Sequence, residues 1–333
     1  MHLRFLVPGN VRHGSGGNKY NAKLAEHLTA LGATVETVTV DGDWPVGSTA
    51  DRRRFAQALD GGTTVVADGL VASGAPDEIA GAAGKGTKVW ILSHMALTAH
   101  HDLEAKALAA ATGIICPSLH SQAQLQARHG MLDIVVATPG AEPADVSAGS
   151  QPKHIVAVAA LLPNKDQTHL VEALSQIKDL PWTAALIGSE EADPAYAAEV
   201  RAAVEHHALQ NRIRVTGELT GTPLQEQWHK ADLSVLISKS ESFGMVVTES
   251  LAHGVPVLVR QGTGAVEALG DTGAGEALDL SDANSLTVTL RTWLTDATLQ
   301  QRWRSNAIQA RHHLHGWDTT ARTVLKALER PPR

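Results

Sequence analysis

Glu241-Ser-Phe-Gly-Met-Val-Val-Thr-Glu249, running on through Ser-Leu-Ala-His-Gly254-Val-Pro-Val-Leu-Val259, sets two carboxylates eight positions apart around a glycine and a short apolar run. The residues after Gly244 read as a helix, Gly254 as its stop, and 255–259 as a Val-rich strand. Carboxylates near a helix start commonly cap it or answer its dipole. Here Glu241 precedes a Phe-Gly turn and Glu249 falls a turn or two inside the helix. A loop and a helix can then aim two acceptor groups into one crevice. Beside the exposed N–H groups of a helix start, that arrangement suits a ligand with hydroxyls at one end and phosphate at the other, as a nucleotide sugar has.

Around this motif the chain alternates strands and helices. Upstream lie a strand at 154–159, a helix at 168–177, a strand at 182–187, a helix at 194–207, a strand at 213–216, a helix at 224–230 and a strand at 233–237. Farther back, Pro139-Gly-Ala-Glu-Pro-Ala-Asp-Val-Ser-Ala-Gly-Ser-Gln-Pro152 has the composition of a linker. Before it, apolar runs at 3–7, 35–40, 63–67, 88–92, 113–116 and 134–137 alternate with helical stretches, the first of them at 20–31. Residues 282–328 read as helical and carry Trp293, Trp303 and Trp317. The pattern predicts α/β architecture with two parallel, doubly wound sheets, and a ligand cleft at their carboxyl edges.

The 333-residue length supports two domains, divided as 1–148 and 149–315. A hydrophobic content of 43% with 19% charged residues fits a soluble globular protein. The net charge of -7 argues against nucleic acid as a partner, because that needs a basic face. A single cysteine, Cys116, cannot form an internal disulfide, so a reducing cytoplasm is expected and the thiol reads as buried and structural rather than nucleophilic. The amino-terminal run is broken at Pro8 before it reaches signal-peptide length, and no apolar run approaches the ~20 residues of a spanning helix. Peripheral contact with a membrane stays open.

Other residues carry both a functional and a plain reading. Gly14-Ser-Gly-Gly17 follows the first strand and opens the first helix, where backbone N–H groups can approach an anion. It misses the dinucleotide fingerprint, since Lys19 stands three beyond Gly16, and it also reads as a plain tight turn. His94 directly follows the strand at 88–92 and so sits at a carboxyl edge. Lys165, in Leu161-Leu-Pro-Asn-Lys-Asp-Gln167, can neutralise a diphosphate or be a solvated loop lysine. Arg52-Arg53-Arg54 can meet an anionic surface, though a solvated helix face explains it as well. The adjacent histidine pairs do not share a helix face, and no metal site is expected.

Taken together, these residues resemble glycosyltransferase family 4, retaining nucleotide-sugar-dependent enzymes of GT-B architecture. The resemblance is strongest over 154–264. It is carried by the long composite of Ser238-Lys-Ser-Glu-Ser-Phe-Gly244 and Glu249-Ser-Leu-Ala-His-Gly-Val-Pro-Val257, a bare pair of glutamates at this spacing being unspecific. The Gly16-Gly17 loop, Ser93-His94-Met95, Pro139-Gly140, the Lys165 loop, Leu186-Ile-Gly188 and Val215-Thr-Gly217 follow in the family's order. The resemblance implies that Glu241 contacts sugar hydroxyls with help from N–H groups near Phe243 and Gly244, and that Glu249 accepts from the ribose. It implies Lys165 on the diphosphate, Gly16 and Gly17 on the phosphates, and His94 on the transferred sugar. It makes 1–148 the acceptor-side domain, with a carboxyl-terminal helix at about 316–333 packing back on it, and 149–315 the donor-binding domain. The implied activity moves a hexose-type sugar from a UDP- or GDP-sugar to a small-molecule or lipid-linked acceptor, without cofactor or metal.

One position departs from the family. Where many relatives have an arginine five residues before the lysine, this chain has Ala160, with Arg260 and Arg12 as candidate replacements. The departure keeps a second reading open, a catalytically weak or silent sugar-nucleotide-binding protein on the same fold. A GT-B epimerase or phosphorylase is a further alternative, and an NAD-dependent oxidoreductase the least supported. The sugar, base, acceptor and oligomeric state are not encoded legibly.

Overall fold

The computed structural model describes residues 1–11, 14–130 and 133–330. Its strands in chain order are β1 (His2–Pro8), β2 (Thr34–Val40), β3 (Thr64–Asp68), β4 (Lys88–Leu92), β5 (Gly113–Cys116) and β6 (Ile134–Val136). There follow β7 (Lys153–Val158), β8 (Trp182–Ile187), β9 (Ile213–Val215), β10 (Leu233–Leu236), β11 (Val257–Arg260) and β12 (Gly275–Leu278). All pair in parallel within two six-stranded sheets.

The chain divides into a unit of Met1–Gly140 with Gly316–Arg333 and a second unit of Ala141–His315. The first division falls at Gly140, upstream of the expected 148. The reason is that residues 147–150 are bonded into the second unit: Ser147 N–H donates to the His253 carbonyl (2.8 Å), Ala148 N–H to the His229 carbonyl (2.9 Å) and Ser150 N–H to Asp232 (3.0 Å). Asp232 also accepts from His154 N–H (2.9 Å) and Lys153 Nζ (2.8 Å), so one buried carboxylate closes the linker onto β7.

The first sheet has the order β2-β1-β3-β4-β5-β6. Its inner strands β3 and β5 are buried along their whole length, and β4 is buried from Val89 to Leu92, as a parallel sheet covered on both faces requires. At the edge, β2 reads Thr-Val-Glu-Thr-Val-Thr-Val and stays largely exposed. Helix Gly16–Ala30 begins four residues earlier than the apolar periodicity alone indicates, because the Ser15 side chain caps it by accepting from Asn18 N–H (3.1 Å). The core between sheet and helices contains Leu6, Trp44, Phe55, Val65, Val71, Ile79 and Ile91. Helix Trp317–Leu328 belongs to this unit, with Trp317 edge-on to Tyr20 at 5.2 Å and Thr320 Oγ1 donating to the Thr138 carbonyl (2.7 Å).

The second sheet has the order β12-β11-β10-β7-β8-β9, around a core of Ile155, Leu170, Leu174, Trp182, Leu186, Trp293 and Trp303. The stretch read as helical from 282 is thus three α-helices and a 3-10 turn in two units, with Ser285–Thr295, Ala297–Ala310 and the turn Arg311–His313 in this one. The edge strand β12, Gly-Glu-Ala-Leu, gives no sequence signal of its own.

In each sheet the strand order reverses once, between β1 and β3 in the first and between β7 and β10 in the second. Loops leaving the carboxyl ends of strands at such a reversal diverge to opposite sides and leave a crevice, the general ligand position in open α/β sheets. No helix among the described residues is long and apolar enough to cross a membrane.

Candidate active site

At the β7/β10 reversal, two loops are laced together. Leu161 N–H, after β7, is anchored on the Ser189 carbonyl of the loop after β8 (2.9 Å), the turn Pro163–Lys165 follows, and Lys239 N–H from the loop after β10 donates to the Asn164 carbonyl (2.7 Å). Their side chains then meet: Lys165 Nζ donates to Glu241 Oε2 at 2.8 Å, with 20% and 16% of the two side chains exposed. Lys165 uses one of three N–H donors on Glu241, its one partner among the described residues.

The Glu241 loop is fixed from below. Gly264 N–H donates to the Glu241 carbonyl (2.8 Å), and a Cβ at Gly264 would stand 2.0 Å from the Ser242 carbonyl oxygen, so only glycine permits this approach. Gly244, at φ +86°, turns the chain into helix Met245–Ala252. The Phe243 ring is buried with Leu236, Val247, Leu251 and Ala265. Glu249 lies on that helix, half-buried.

Behind the lysine, Asp166 adopts a left-handed conformation (φ +60°) and gathers cations. Its carboxylate pairs with Arg260 Nη2, stands 3.0 Å from Lys239 Nζ and 3.6 Å from His169 Nδ1. Burial opposes the charge of Asp166, but hydrogen bonds from His169 and Lys239 hold its carboxyl below the usual range. The same contact with Asp166 pushes the His169 imidazole upward. Arg260 Nε also donates to the Ile237 carbonyl (2.9 Å). Three permanent cations, Lys165, Lys239 and Arg260, thus face two carboxylates across three loops. Ala160 is half-buried and offers only its carbonyl, which accepts from Gln167 Nε2 (3.0 Å). Arg12 lies outside the described residues.

In the first unit, Gly16 and Gly17 open the helix that follows β1, and His94 follows β4. A Cβ at Gly17 would come 3.1 Å from His94 Cδ2, so this glycine lies directly against the ring. Tyr20, whose hydroxyl donates to the Ala137 carbonyl (2.6 Å), meets the imidazole edge-on at 5.1 Å. Two residues that the sequence reading passed over complete the group. His94 Nε2 is 2.8 Å from Asn21 Oδ1, and Asn21 Nδ2 donates to Asp68 Oδ2 at 2.6 Å. Asp68 ends β3, at the reversal of this sheet, and that position is the signal that would have found it. Among the described residues no group of three or more His, Cys, Asp or Glu is placed to hold a metal ion.

The model of one family, described as "Glycosyl transferases group 1", matches residues 141–310, just over half of the chain. D-inositol 3-phosphate glycosyltransferase of Jonesia denitrificans is 30% identical over 194 residues, 56% of this chain and 45% of that protein; the match therefore spans less than half of the relative's length. Among solved structures, sucrose-phosphate synthase from Thermosynechococcus elongatus superposes with a TM-score of 0.83 at 17% identity over 98% of both chains. Anabaena HepE in complex with UDP and glucose gives 0.78 at 18% identity, over 98% of this chain and 99% of that one. At these identities the likeness establishes the fold: α/β, with two Rossmann-like units of the GT-B class.

Proposed function

The chain belongs to the glycosyl transferases group 1 family, and from that premise we propose that it is a retaining hexosyltransferase of glycosyltransferase family 4. It moves a hexose-type sugar from a UDP- or GDP-sugar to a small-molecule or lipid-linked acceptor. The observation that carries this reading is the Lys165–Glu241 pair at the β7/β10 reversal, where a cation and a hydroxyl-accepting carboxylate stand 2.8 Å apart. The name of the Jonesia relative and the UDP and glucose bound to HepE support the choice of substrate class.

In this reading the second unit holds the donor. Lys165 takes the diphosphate and stabilises the leaving group's charge, the preorganised electrostatic effect that often dominates transfer chemistry. Glu241 accepts from sugar hydroxyls, backbone N–H groups at Phe243 and Gly244 assist, and Glu249 accepts from the ribose. The first unit supplies N–H groups of Gly16 and Gly17 to phosphate and His94 to the transferred sugar. The acceptor attacks on the face the leaving group departs from, and the departing phosphate takes its proton, so no carboxylate pair of the hydrolase kind is needed. The reaction uses no metal or cofactor, and the protein works in the cytoplasm, where its acceptor can bring it to a membrane surface.

Ala160 favours a second reading, a sugar-nucleotide-binding protein with little or no transfer, because it removes one cation from the diphosphate's side. Lys239 and Arg260, both held on Asp166, keep positive charge within the same loops. A panel of nucleoside diphosphates and nucleotide sugars, followed by thermal shift and then by donor hydrolysis, separates the cases. Transferase function expects stabilisation by one nucleoside diphosphate, its loss in Glu249→Ala, and slow release of free sugar from the matching donor. Stabilisation without turnover establishes the silent binder. Absence of any shift across the panel removes both.

A further inference from the structure

We propose that Asp68 and Asn21 are positioning residues that select the tautomer of His94: whenever the ring carries a single proton they hold it on Nε2, so that Nδ1 presents a lone pair to a sugar hydroxyl. The proposal rests on the reading of His94 as the side chain that meets the transferred sugar.

The proton's place follows from donors and acceptors taken in order. Asp68 ends β3 with its side chain 6% exposed; Oδ1 accepts from Leu70 N–H (2.8 Å) and Oδ2 from Asn21 (2.6 Å). Burial opposes the charge of Asp68, yet the hydrogen bond from His94, the attraction of that ring when charged, and the hydrogen bonds from Asn21 and Leu70 N–H hold its carboxyl below the usual range. An ionised carboxylate only accepts, so Asn21 must turn its NH2 toward it. That leaves the Asn21 carbonyl oxygen facing His94 Nε2 at 2.8 Å. A carbonyl also only accepts, so Nε2 must be the donor, with Asp68 Oδ2 as a second acceptor at 3.4 Å. A neutral imidazole has one N–H, and Nδ1 is therefore bare.

The ring is held as well as protonated. Gly17 lies against Cδ2, on the same edge as Nε2, and Tyr20 meets the ring edge-on. Among the described residues no hydrogen bond reaches Nδ1, and 17% of the side chain stays exposed. An acceptor nitrogen fixed in this way reads a hydroxyl's direction, which an imidazole free to change tautomer does not. Asn21 acts as a relay: it passes the negative pole of Asp68 to the imidazole as a carbonyl dipole.

The test is the tautomer itself, read by 15N–1H correlation on the full chain labelled at histidine nitrogens, with His94 signals assigned by their loss in His94→Gln. At alkaline pH the wild type is expected to show protonated Nε2 and unprotonated Nδ1. Asp68→Asn keeps size and the contact to Leu70 N–H but offers its NH2 to Asn21. Asn21 must then flip and turn its own NH2 toward Nε2, which drives the proton to Nδ1. Hydrolysis of UDP-glucose or GDP-mannose by this variant is expected to fall by roughly 10²-fold or more in kcat, with KM little changed, since a reversed tautomer beside an otherwise intact site is severely damaging. A wild type protonated on Nδ1 overturns the proposal, as does Asp68→Asn with an unchanged tautomer, or with a reversed one and wild-type kcat. The wild-type spectrum decides the first point even if the variant fails to fold. Because it is recorded without any nucleotide, its failure is distinct from failure of the transferase reading.

Discussion

Both units carry candidate side chains near the carboxyl edge of their sheet, but they hold those side chains by different physics. The second unit sets full charges against one another across loops, Lys165 on Glu241 and Lys239 and Arg260 on Asp166. The first passes a single buried charge, Asp68, through a neutral amide to one imidazole. Ion pairs of the first kind answer to pH, salt and an arriving anion. A relay of the second kind answers to donor and acceptor geometry, and its effect is direction rather than charge.

The largest effect should come from cutting the charge-based side. Lys165→Ala is expected to lower donor hydrolysis by about 10²- to 10³-fold in kcat, the range for removing one stabiliser of transition-state charge, while Lys165→Arg retains part of the rate. A full wild-type rate in Lys165→Ala would place the cationic role elsewhere and end the contrast between the units. Next in size is the scaffold beneath Glu241. Gly264→Ala puts a Cβ 2.0 Å from the Ser242 carbonyl, and urea denaturation should register a loss of about 1–3 kcal/mol as the loop is forced off its seat.

The smallest effect is one of pH. The folded pKa of Asp166 is depressed, so its contribution to stability is complete above the unfolded carboxylate value and is lost as pH falls through the folded one. His169 has the opposite sign: its raised folded pKa contributes below the unfolded imidazole value and fades as pH rises through the folded one. Denaturation midpoints of Asp166→Asn should therefore vary less with pH than those of the wild type, both in acid and just above the usual imidazole range. Parallel curves for the two proteins would show that this cluster contributes no linkage.

How much of this the sequence disclosed depends on the range of the interaction. Inner strands such as β3 and β10 were legible because a strand buried on both faces must be an apolar run. β12 was not, since four residues with neither β-branched nor aromatic side chains carry no strand signature. The linker's composition marked 139–152 as irregular but not where it is tied down. That is decided by distant partners, Arg304 on the Ser147 carbonyl and Arg311 on the Ala144 carbonyl. In the site, Lys165 and Glu241 were readable from loops that directly follow strands, and the reversal explains why they meet. Asn21 and Asp68 were not, because 47 positions separate them and only the adjacency of β1 and β3 brings them together. The hub at Asp166 was hidden too, since a left-handed aspartate looks in sequence like any other loop residue.

The contact between Lys165 and Glu241 has one more property. Each side chain of the pair keeps part of its surface in water, 20% for Lys165 and 16% for Glu241, so parting it costs less than parting a fully enclosed one. In the proposed reading, an anion that draws the ammonium away from Oε2 would free carboxylate lone pairs for the hydroxyls attached to that anion. On that reading, holding phosphate and freeing the hydroxyl acceptor would then be one event at this pair.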